Sequence, residues 1–258
     1  METTKQLVFN AFMRGDYDRN ARTVSELRNK NIKFAFVSKK QFTKYVYELI
    51  AAEAIVVNDN GFEINKKLLD NRRVEILHND FDVDRLANYA RLTTGNDTSN
   101  DRYKNKALCR TLFRAQHLTP FEFFGVTVKF TVPIYIARQL MRYRAGVYLE
   151  KSLRRTEPVK MRGNSERAKY NNTCVNIYRQ LLKNGIKKED ARAVLPLMTE
   201  TCFVARWNFR ELAHIFDERL KPDTQADTRA VVAQLYEQLK LLEPDFIDAY
   251  ELSKKGNK

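Results

Sequence analysis

The chain has 258 residues, 43% of them apolar, which is enough to build a core and excludes wholesale disorder. Its 46 Lys and Arg residues against 32 Asp and Glu give a net charge of +14, which favours nucleic acids, nucleotides or anionic cofactors as partners. The eight glycines are too widely spaced for either glycine-rich phosphate loop, so side chains must hold any nucleotide phosphate.

Residues 1–72 predict a separate N-terminal domain. Apolar positions over Thr4–Met13, Thr23–Leu27 and Ser38–Ile50 indicate three helices. Two short apolar runs then flank Asn58–Gly61, a turn sequence typical of a β-hairpin. Three helices followed by a hairpin is the order of a winged helix-turn-helix domain.

The third predicted helix carries Lys39, Lys40 and Lys44, which either contact phosphate or form a solvated face. DNA binding is possible through this domain, but we favour a docking or oligomerisation module. The polar stretch 66–73 is the predicted linker to a second domain over residues 73–258.

The sequence pattern of the second domain predicts mixed α and β structure in which helices dominate. The predicted elements are, in chain order, a strand at Val74–Leu77, a helix from Asp84, a helix over Asn105–Gln116, a strand over Gly125–Val132, a helix over Ile134–Arg144 opened by Pro133, a long helix within Glu189–Phe216 and a last helix over Gln225–Leu242.

The cysteines and histidines give no sign of a metal site. The three residues of each type are scattered, with no C-x-x-C or H-E-x-x-H pair. No apolar run has the length of a membrane span, and the first residues lack a signal-peptide core. The sequence therefore predicts a cytoplasmic protein that binds no metal.

Polar residues concentrate in two places. The first runs from Arg138, within the last turns of the helix predicted to end at Arg144, to Arg155. It is rich in arginine, whose planar guanidinium suits phosphate. Cations that complement a helix dipole are the alternative interpretation. The second group lies in an apolar segment, where polar side chains form either a satisfied network or a site: Arg192, Asn208, Arg210, His214 and Arg219.

These residues carry a family resemblance. Arg142-Tyr143-Arg144, followed after seven residues by Ser152, resembles the R-H-R-(seven)-S signature of flavin-dependent thymidylate synthases. Four further segments resemble the family's H-x-[ST]-P-F-E-H, E-x-S-x-R, A-R-x-x-L-P and N-x-R…R motifs in the same order: His117–Glu122, Glu150–Arg154, Arg192–Pro196 and Asn208–Arg219. The resemblance runs from about Val74 to the end of the chain and leaves residues 1–72 uncovered.

The resemblance implies an α+β fold, an antiparallel sheet flanked by helices, assembled as a homotetramer with active sites between subunits. It also implies a reaction in which a one-carbon unit passes from 5,10-methylenetetrahydrofolate to C5 of dUMP, giving dTMP. FAD is the implied cofactor, and NADPH supplies it with electrons.

The resemblance further implies roles for individual residues. The implied catalytic residues are Arg219 and Ser152. The implied FAD-binding residues are His117, Thr119, Arg142, Tyr143, Arg144, Glu150, Asn208, Arg210 and His214. The implied nucleotide-binding residues are Gln139, Arg142, Glu150, Ser152, Leu153, Arg154, Arg192 and Arg219.

The chain departs from the family pattern at four positions. Tyr143, Phe123 and Asp223 replace histidines of the family, and His214 replaces an asparagine. Tyr143 and His214 can still form hydrogen bonds, whereas Phe123 cannot. These changes leave open a differently modified pyrimidine, dCMP as the substrate, or a catalytically inactive homologue with a DNA-binding N-terminal domain.

The N-terminal domain is expected to be dispensable for the chemistry, because every matched motif follows it. A chain starting at Arg72 should keep flavin-dependent turnover, and it should bind duplex DNA no differently from the full chain at low and moderate salt. Duplex binding by the full chain alone, falling steeply with salt, would instead assign DNA binding to residues 1–72.

Overall fold

The computed structural model describes residues 55–58, 61–64, 73–158 and 165–255. Strands β1 (Ile55–Asn58) and β2 (Gly61–Ile64) pair antiparallel, with Asn58 opposite Gly61, which confirms the predicted hairpin. The three predicted N-terminal helices and most of the predicted linker lie outside the described residues, so the winged helix domain stays a prediction. Within the described ranges, no helix is both long and apolar enough to cross a membrane.

The remaining elements are helices and strands, with helices in the majority. In chain order they are β3 (Val74–Asn79), α1 (Val83–Leu92), α2 (Arg102–Arg114), a 3-10 turn (Thr119–Phe123), β4 (Gly125–Pro133), α3 (Ile134–Leu140), β5 (Gly146–Glu150), α4 (Glu166–Lys183), α5 (Lys188–Ala191), a 3-10 turn (Arg192–Val194), β6 (Glu200–Asn208), α6 (Phe209–Arg219), α7 (Ala226–Leu242) and α8 (Pro244–Lys255).

The chain divides into two compact units. The described part of the first comprises residues 55–58, 61–64, 78–126 and 233–255, and within it α2 packs against α1 and α8. Phe113 of α2 is its aromatic centre, with ring centroids 4.9 Å from Phe121, 6.0 Å from Phe246 and 6.1 Å from Tyr250. These edge-to-face contacts anchor α8, a helix that the sequence analysis missed.

The second unit comprises residues 73–77 and 127–232 and holds most of a four-stranded sheet in the order β3-β4-β6-β5. Strands β5 and β6 pair antiparallel, with Gly146 opposite Trp207 and Glu150 opposite Phe203. The predicted fold class is confirmed: an antiparallel sheet with helices in an α+β fold.

Strand β6 corrects the prediction of one long helix within Glu189–Phe216. Burial alternates along the strand, and the side chains of Phe203 and Trp207 are fully buried. Phe203 stacks on Phe130 of β4 at a centroid distance of 4.8 Å, so cross-strand packing selects the strand. A continuous apolar run does not by itself distinguish a strand from a buried helix.

Helix α3 is shorter than predicted, ending at Leu140 instead of Arg144. The hydroxyl of Tyr148 explains this end. It donates a hydrogen bond to the carbonyl of Tyr143 and lies 3.3 Å from the carbonyl of Leu140. Carbonyls at a helix end need partners outside the helix, and a side chain on β5 supplies one here. The segment from Met141 to Ala145 is therefore a turn.

Helix α4 is a further element that the sequence analysis missed. The Ser165 side chain caps it by accepting from the Ala168 amide at 3.2 Å. Its buried face includes Asn171, whose side-chain oxygen accepts from Thr199 at 3.0 Å. A polar residue in the middle of the buried face weakens the hydrophobic pattern, which explains the omission.

The start of β5 is packed too tightly for a side chain. A Cβ atom on Gly146 would lie 2.6 Å from the Cδ1 and Nε1 atoms of Trp207 and 2.6 Å from the Tyr148 hydroxyl. The Trp207 indole donates to that hydroxyl at 2.8 Å. Glycine at this position therefore allows β5 to approach β6.

The Gly146→Ala substitution should destabilise the fold by about 2 kcal/mol through overpacking. In a domain of this size that corresponds to a lower unfolding midpoint by about 5 °C, measured by circular dichroism. Adding Trp207→Phe should make the two effects clearly non-additive, because it removes most of the clash. An unchanged midpoint for Gly146→Ala would contradict the close approach.

Candidate active site

A cavity of about 470 Å³ opens in the second unit between α3, the end of β5 and the loop around Arg192. Four residues that the sequence analysis assigned to nucleotide binding line it together: Glu150, Ser152, Leu153 and Arg192. Two further cations, Arg138 and Lys151, also line it and were not among the assigned residues.

A second cavity of about 490 Å³ shares Ser152 with the first and is lined by Arg154, Arg155 and Glu189. The carboxylate of Glu189 accepts from Arg154 Nε at 3.0 Å and from Arg154 Nη2 at 2.6 Å. The main-chain carbonyl of Glu189 accepts from Arg192 Nε at 3.1 Å. One residue at the start of α5 thus orients both arginines, and sequence reasoning missed it.

The charge around the two cavities is strongly positive. Their two carboxylates already have partners, since Glu189 is paired with Arg154 and Glu150 accepts from the Thr201 hydroxyl at 2.8 Å. Among the residues that the structure describes, no acidic side chain pairs with Arg138 or Arg155, which line the cavities, and none pairs with Arg142 or Arg144 on the turn after α3. Such an excess of arginine suits an anionic ligand.

A third group surrounds the turn after α3. The Tyr143 ring meets the His214 ring edge-to-face at 5.7 Å, and the Arg219 guanidinium lies over the Tyr143 ring at 5.4 Å. Helix α6 supplies His214 and ends at Arg219. The structure therefore brings together three of the predicted flavin-site and catalytic residues.

Two polar atoms in this third group are buried without a hydrogen-bond partner in the described part of the chain, the Tyr143 hydroxyl and Arg219 Nε. Tyr143 is only 6% exposed. Burial raises the pKa of the Tyr143 hydroxyl, and the Arg219 charge partly opposes this rise. The hydroxyl is thus protonated at neutral pH and can donate a hydrogen bond to a ligand.

Asn208 and Arg219 lie at opposite ends of α6. Asn208 precedes α6 as its cap, accepting from the Glu211 amide at 2.8 Å, whereas Arg219 is the last helical residue. The two residues are therefore roughly 16 Å apart along the helix axis. Arg210 is exposed on the first turn of the same helix.

Gln139 does not share a helix face with Arg142, because α3 ends between them. The Gln139 amide donates to the Gln225 side chain at 2.6 Å, and Gln139 does not line the 470 Å³ cavity. Arg142 and Arg144 are exposed on the turn that follows α3.

His117 and Thr119 belong to the first compact unit, where they line a separate cavity of about 1340 Å³ beside α1 and α2. Phe123 lies in the same wall with its ring 5.5 Å from Tyr89, and it is 68% exposed. Asp223 is exposed in the turn after α6.

The functional residues missed by sequence reasoning left unequal signals. Glu189 lies three residues before Arg192 in a polar segment, and that spacing is compatible with a local pair. Tyr148 left no signal, because only the β5–β6 register places its hydroxyl at the end of α3. Across the described residues, no cluster of His, Cys, Asp or Glu could hold a metal ion.

Comparisons with known proteins agree with the motifs. The family described as thymidylate synthase complementing protein matches residues 76–245. Curated flavin-dependent thymidylate synthases resemble the chain: that of Pseudothermotoga lettingae is 30% identical over 208 residues, covering 72% of this chain and 89% of the relative. That of Thermosipho melanesiensis is 30% identical over 191 residues, covering 62% and 81%.

A solved structure is also similar, that of a UMP/dUMP methylase, PolB, from Streptomyces cacaoi with 5-Br dUMP bound. The TM-score is 0.61 at 25% sequence identity, over 69% of this chain and 94% of that chain. The family match covers most of the chain and includes the arginine-rich turn, the two cavities of the second unit and helix α6. The chain therefore belongs to the flavin-dependent thymidylate synthase family.

Proposed function

We propose that the protein transfers a one-carbon unit from 5,10-methylenetetrahydrofolate to C5 of dUMP in a flavin-dependent reaction that gives dTMP. The observation that carries this proposal is the pair of adjoining cavities, where Ser152, Arg154 and Arg192 meet in a positively charged environment. The similarity to a methylase solved with 5-Br dUMP supports a pyrimidine monophosphate as the ligand.

The nucleotide phosphate is expected to bind Arg192 and Arg154. Both residues are exposed. Glu189 accepts a hydrogen bond from Arg154 through its carboxylate and from Arg192 through its main-chain carbonyl. Two arginine forks beside a hydroxyl match the charge and geometry of a phosphate. Ser152 supplies that hydroxyl and lines both cavities.

The pyrimidine ring is expected to meet Arg219. A cation beside N3 and O2 of the base stabilises the negative charge that must develop for C5 to react. Arg219 is half-buried and lacks an acidic partner in the described ranges, so its charge can serve the ligand. The chemistry then needs no metal and no protein nucleophile.

The residues of the third group fit a flavin. The buried Tyr143 hydroxyl has a hydrogen to donate, and Arg142 and Arg144 flank it without acidic partners in the described structure. Bound FAD would supply the reducing equivalents for the transferred carbon, drawing its electrons from NADPH. His117 and Thr119 are proposed to complete the flavin and folate site within a homotetramer.

A differently modified pyrimidine, or dCMP as the substrate, is the second candidate. The observation that favours it is the contact between Tyr143 and His214, because both residues replace the family's usual side chains and they touch each other. A coupled change of this kind would alter the shape of the wall that is proposed to face the flavin. Assays with dUMP and dCMP in parallel distinguish the two substrates.

The purified protein is expected to be yellow, or to become yellow when FAD is added. Titration with FAD, followed by flavin absorbance and fluorescence, should saturate at micromolar concentrations. A protein that stays colourless and binds no flavin at tens of micromolar would leave only a regulatory role for an inactive fold.

Arg219→Ala should abolish turnover, whereas Arg192→Ala should mainly weaken nucleotide binding. The reason is that the first residue acts on the reacting base and the second on the phosphate. We expect kcat to fall by about a thousandfold in Arg219→Ala, and KM for dUMP to rise by about tenfold in Arg192→Ala.

The matched control is Arg179→Ala, which removes an exposed arginine from α4 and should leave both constants unchanged. Full activity in both Arg219→Ala and Arg192→Ala would show that the site lies elsewhere. Equal losses in all three variants would indicate a general effect of charge instead.

A further inference from the structure

The charge of Arg219 is not neutralised by its sequence neighbours. Glu218, the nearest carboxylate along the chain, forms an ion pair with Lys221 at 2.9 Å, and that pair lowers the pKa of Glu218. In the described part of the chain, Arg219 takes part in no ion pair. Some other interaction must fix the direction of this long, flexible side chain.

The Tyr143 ring provides that interaction. The Arg219 guanidinium lies over it at 5.4 Å, within the range of a cation–π contact. The ring is itself buried, 6% exposed, and it meets the His214 ring edge-to-face at an interplanar angle of 79°. A buried aromatic face therefore lies beside the guanidinium.

We propose that Tyr143 is a positioning residue whose ring holds the Arg219 guanidinium in place while leaving its positive charge uncompensated. A carboxylate would also hold the cation, but it would cancel the charge that the ligand needs. An aromatic face attracts the cation without carrying a net charge. The inference rests on the proposed function, since it assigns Tyr143 to the residue that acts on the base.

Tyr143→Phe and Tyr143→Leu separate the ring from the hydroxyl. Phenylalanine keeps the aromatic face and loses the unpartnered hydroxyl, whereas leucine loses both. Because the hydroxyl is proposed to meet the flavin, both variants should weaken FAD binding. At saturating FAD, we expect kcat to fall by about tenfold or more in Tyr143→Leu and to fall clearly less in Tyr143→Phe, which keeps the ring. KM for dUMP should change by less than about threefold in both, because the phosphate contacts remain.

Tyr135→Leu is the matched control. It removes a similar contact in the same unit, where Arg167 lies over Tyr135 at 5.9 Å, and neither residue lines the two cavities. Its kcat should stay close to that of the wild type. A loss in Tyr143→Phe as large as in Tyr143→Leu would overturn the proposal, and so would an unchanged kcat in Tyr143→Leu.

A double-mutant cycle in the flavin-free protein tests the contact without catalysis. The unfolding midpoint is measured for Tyr143→Leu, Arg219→Met and the combined variant. The combined variant should unfold at a higher temperature than the sum of the two single shifts predicts, because either change alone already breaks the contact. Additive shifts would overturn the proposal.

The two measurements separate the two ideas. If the wild-type protein turned over no pyrimidine nucleotide, the proposed function would be contradicted. The double-mutant cycle would still report whether Tyr143 holds Arg219. Non-additive midpoint shifts together with an unchanged kcat in Tyr143→Leu would contradict the positioning role but not the proposed function.

Discussion

The hydrogen bond from the Trp207 indole to the Tyr148 hydroxyl is the constraint on which the second unit depends. It is possible only because Gly146 lets β5 lie close against β6. The same hydroxyl donates to the carbonyl of Tyr143, in the turn that follows the end of α3. That turn carries Arg142 and Arg144. The contact between Trp207 and Tyr148 in the sheet thus helps to position the side chains of the turn after α3.

In the proposed site, the positioning of the cations is separate from the neutralisation of their charge. Arg154 and Arg192 are held by Glu189, one through the carboxylate and the other through the backbone, while Arg219 lies on an aromatic ring. Only one of these three cations therefore faces a full negative charge. The remaining positive potential is available to an anionic ligand.

The sequence alone identified the hairpin turn, the strand that begins at Gly125 and the order of the motifs, because each depends on local chemistry. The segment that contains β6 was wrongly predicted as a helix, because only its packing against Phe130 distinguishes the strand from a helix. The contact of Tyr143 with His214 was equally beyond the sequence alone. Residues far apart in sequence meet there through the sheet register, and no spacing rule encodes that meeting.

The pairing of Glu189 with Arg154 has a consequence for selectivity among anions. A ligand that binds Arg154 competes with a carboxylate that already lies 2.6 Å from the Nη2 atom. A singly charged carboxylic acid would bind Arg154 with little gain in free energy, because it would only replace one carboxylate by another. A phosphate monoester brings almost two charges at neutral pH and gains considerably more. We therefore expect the Glu189 carboxylate to favour a dianion over a singly charged acid at Arg154.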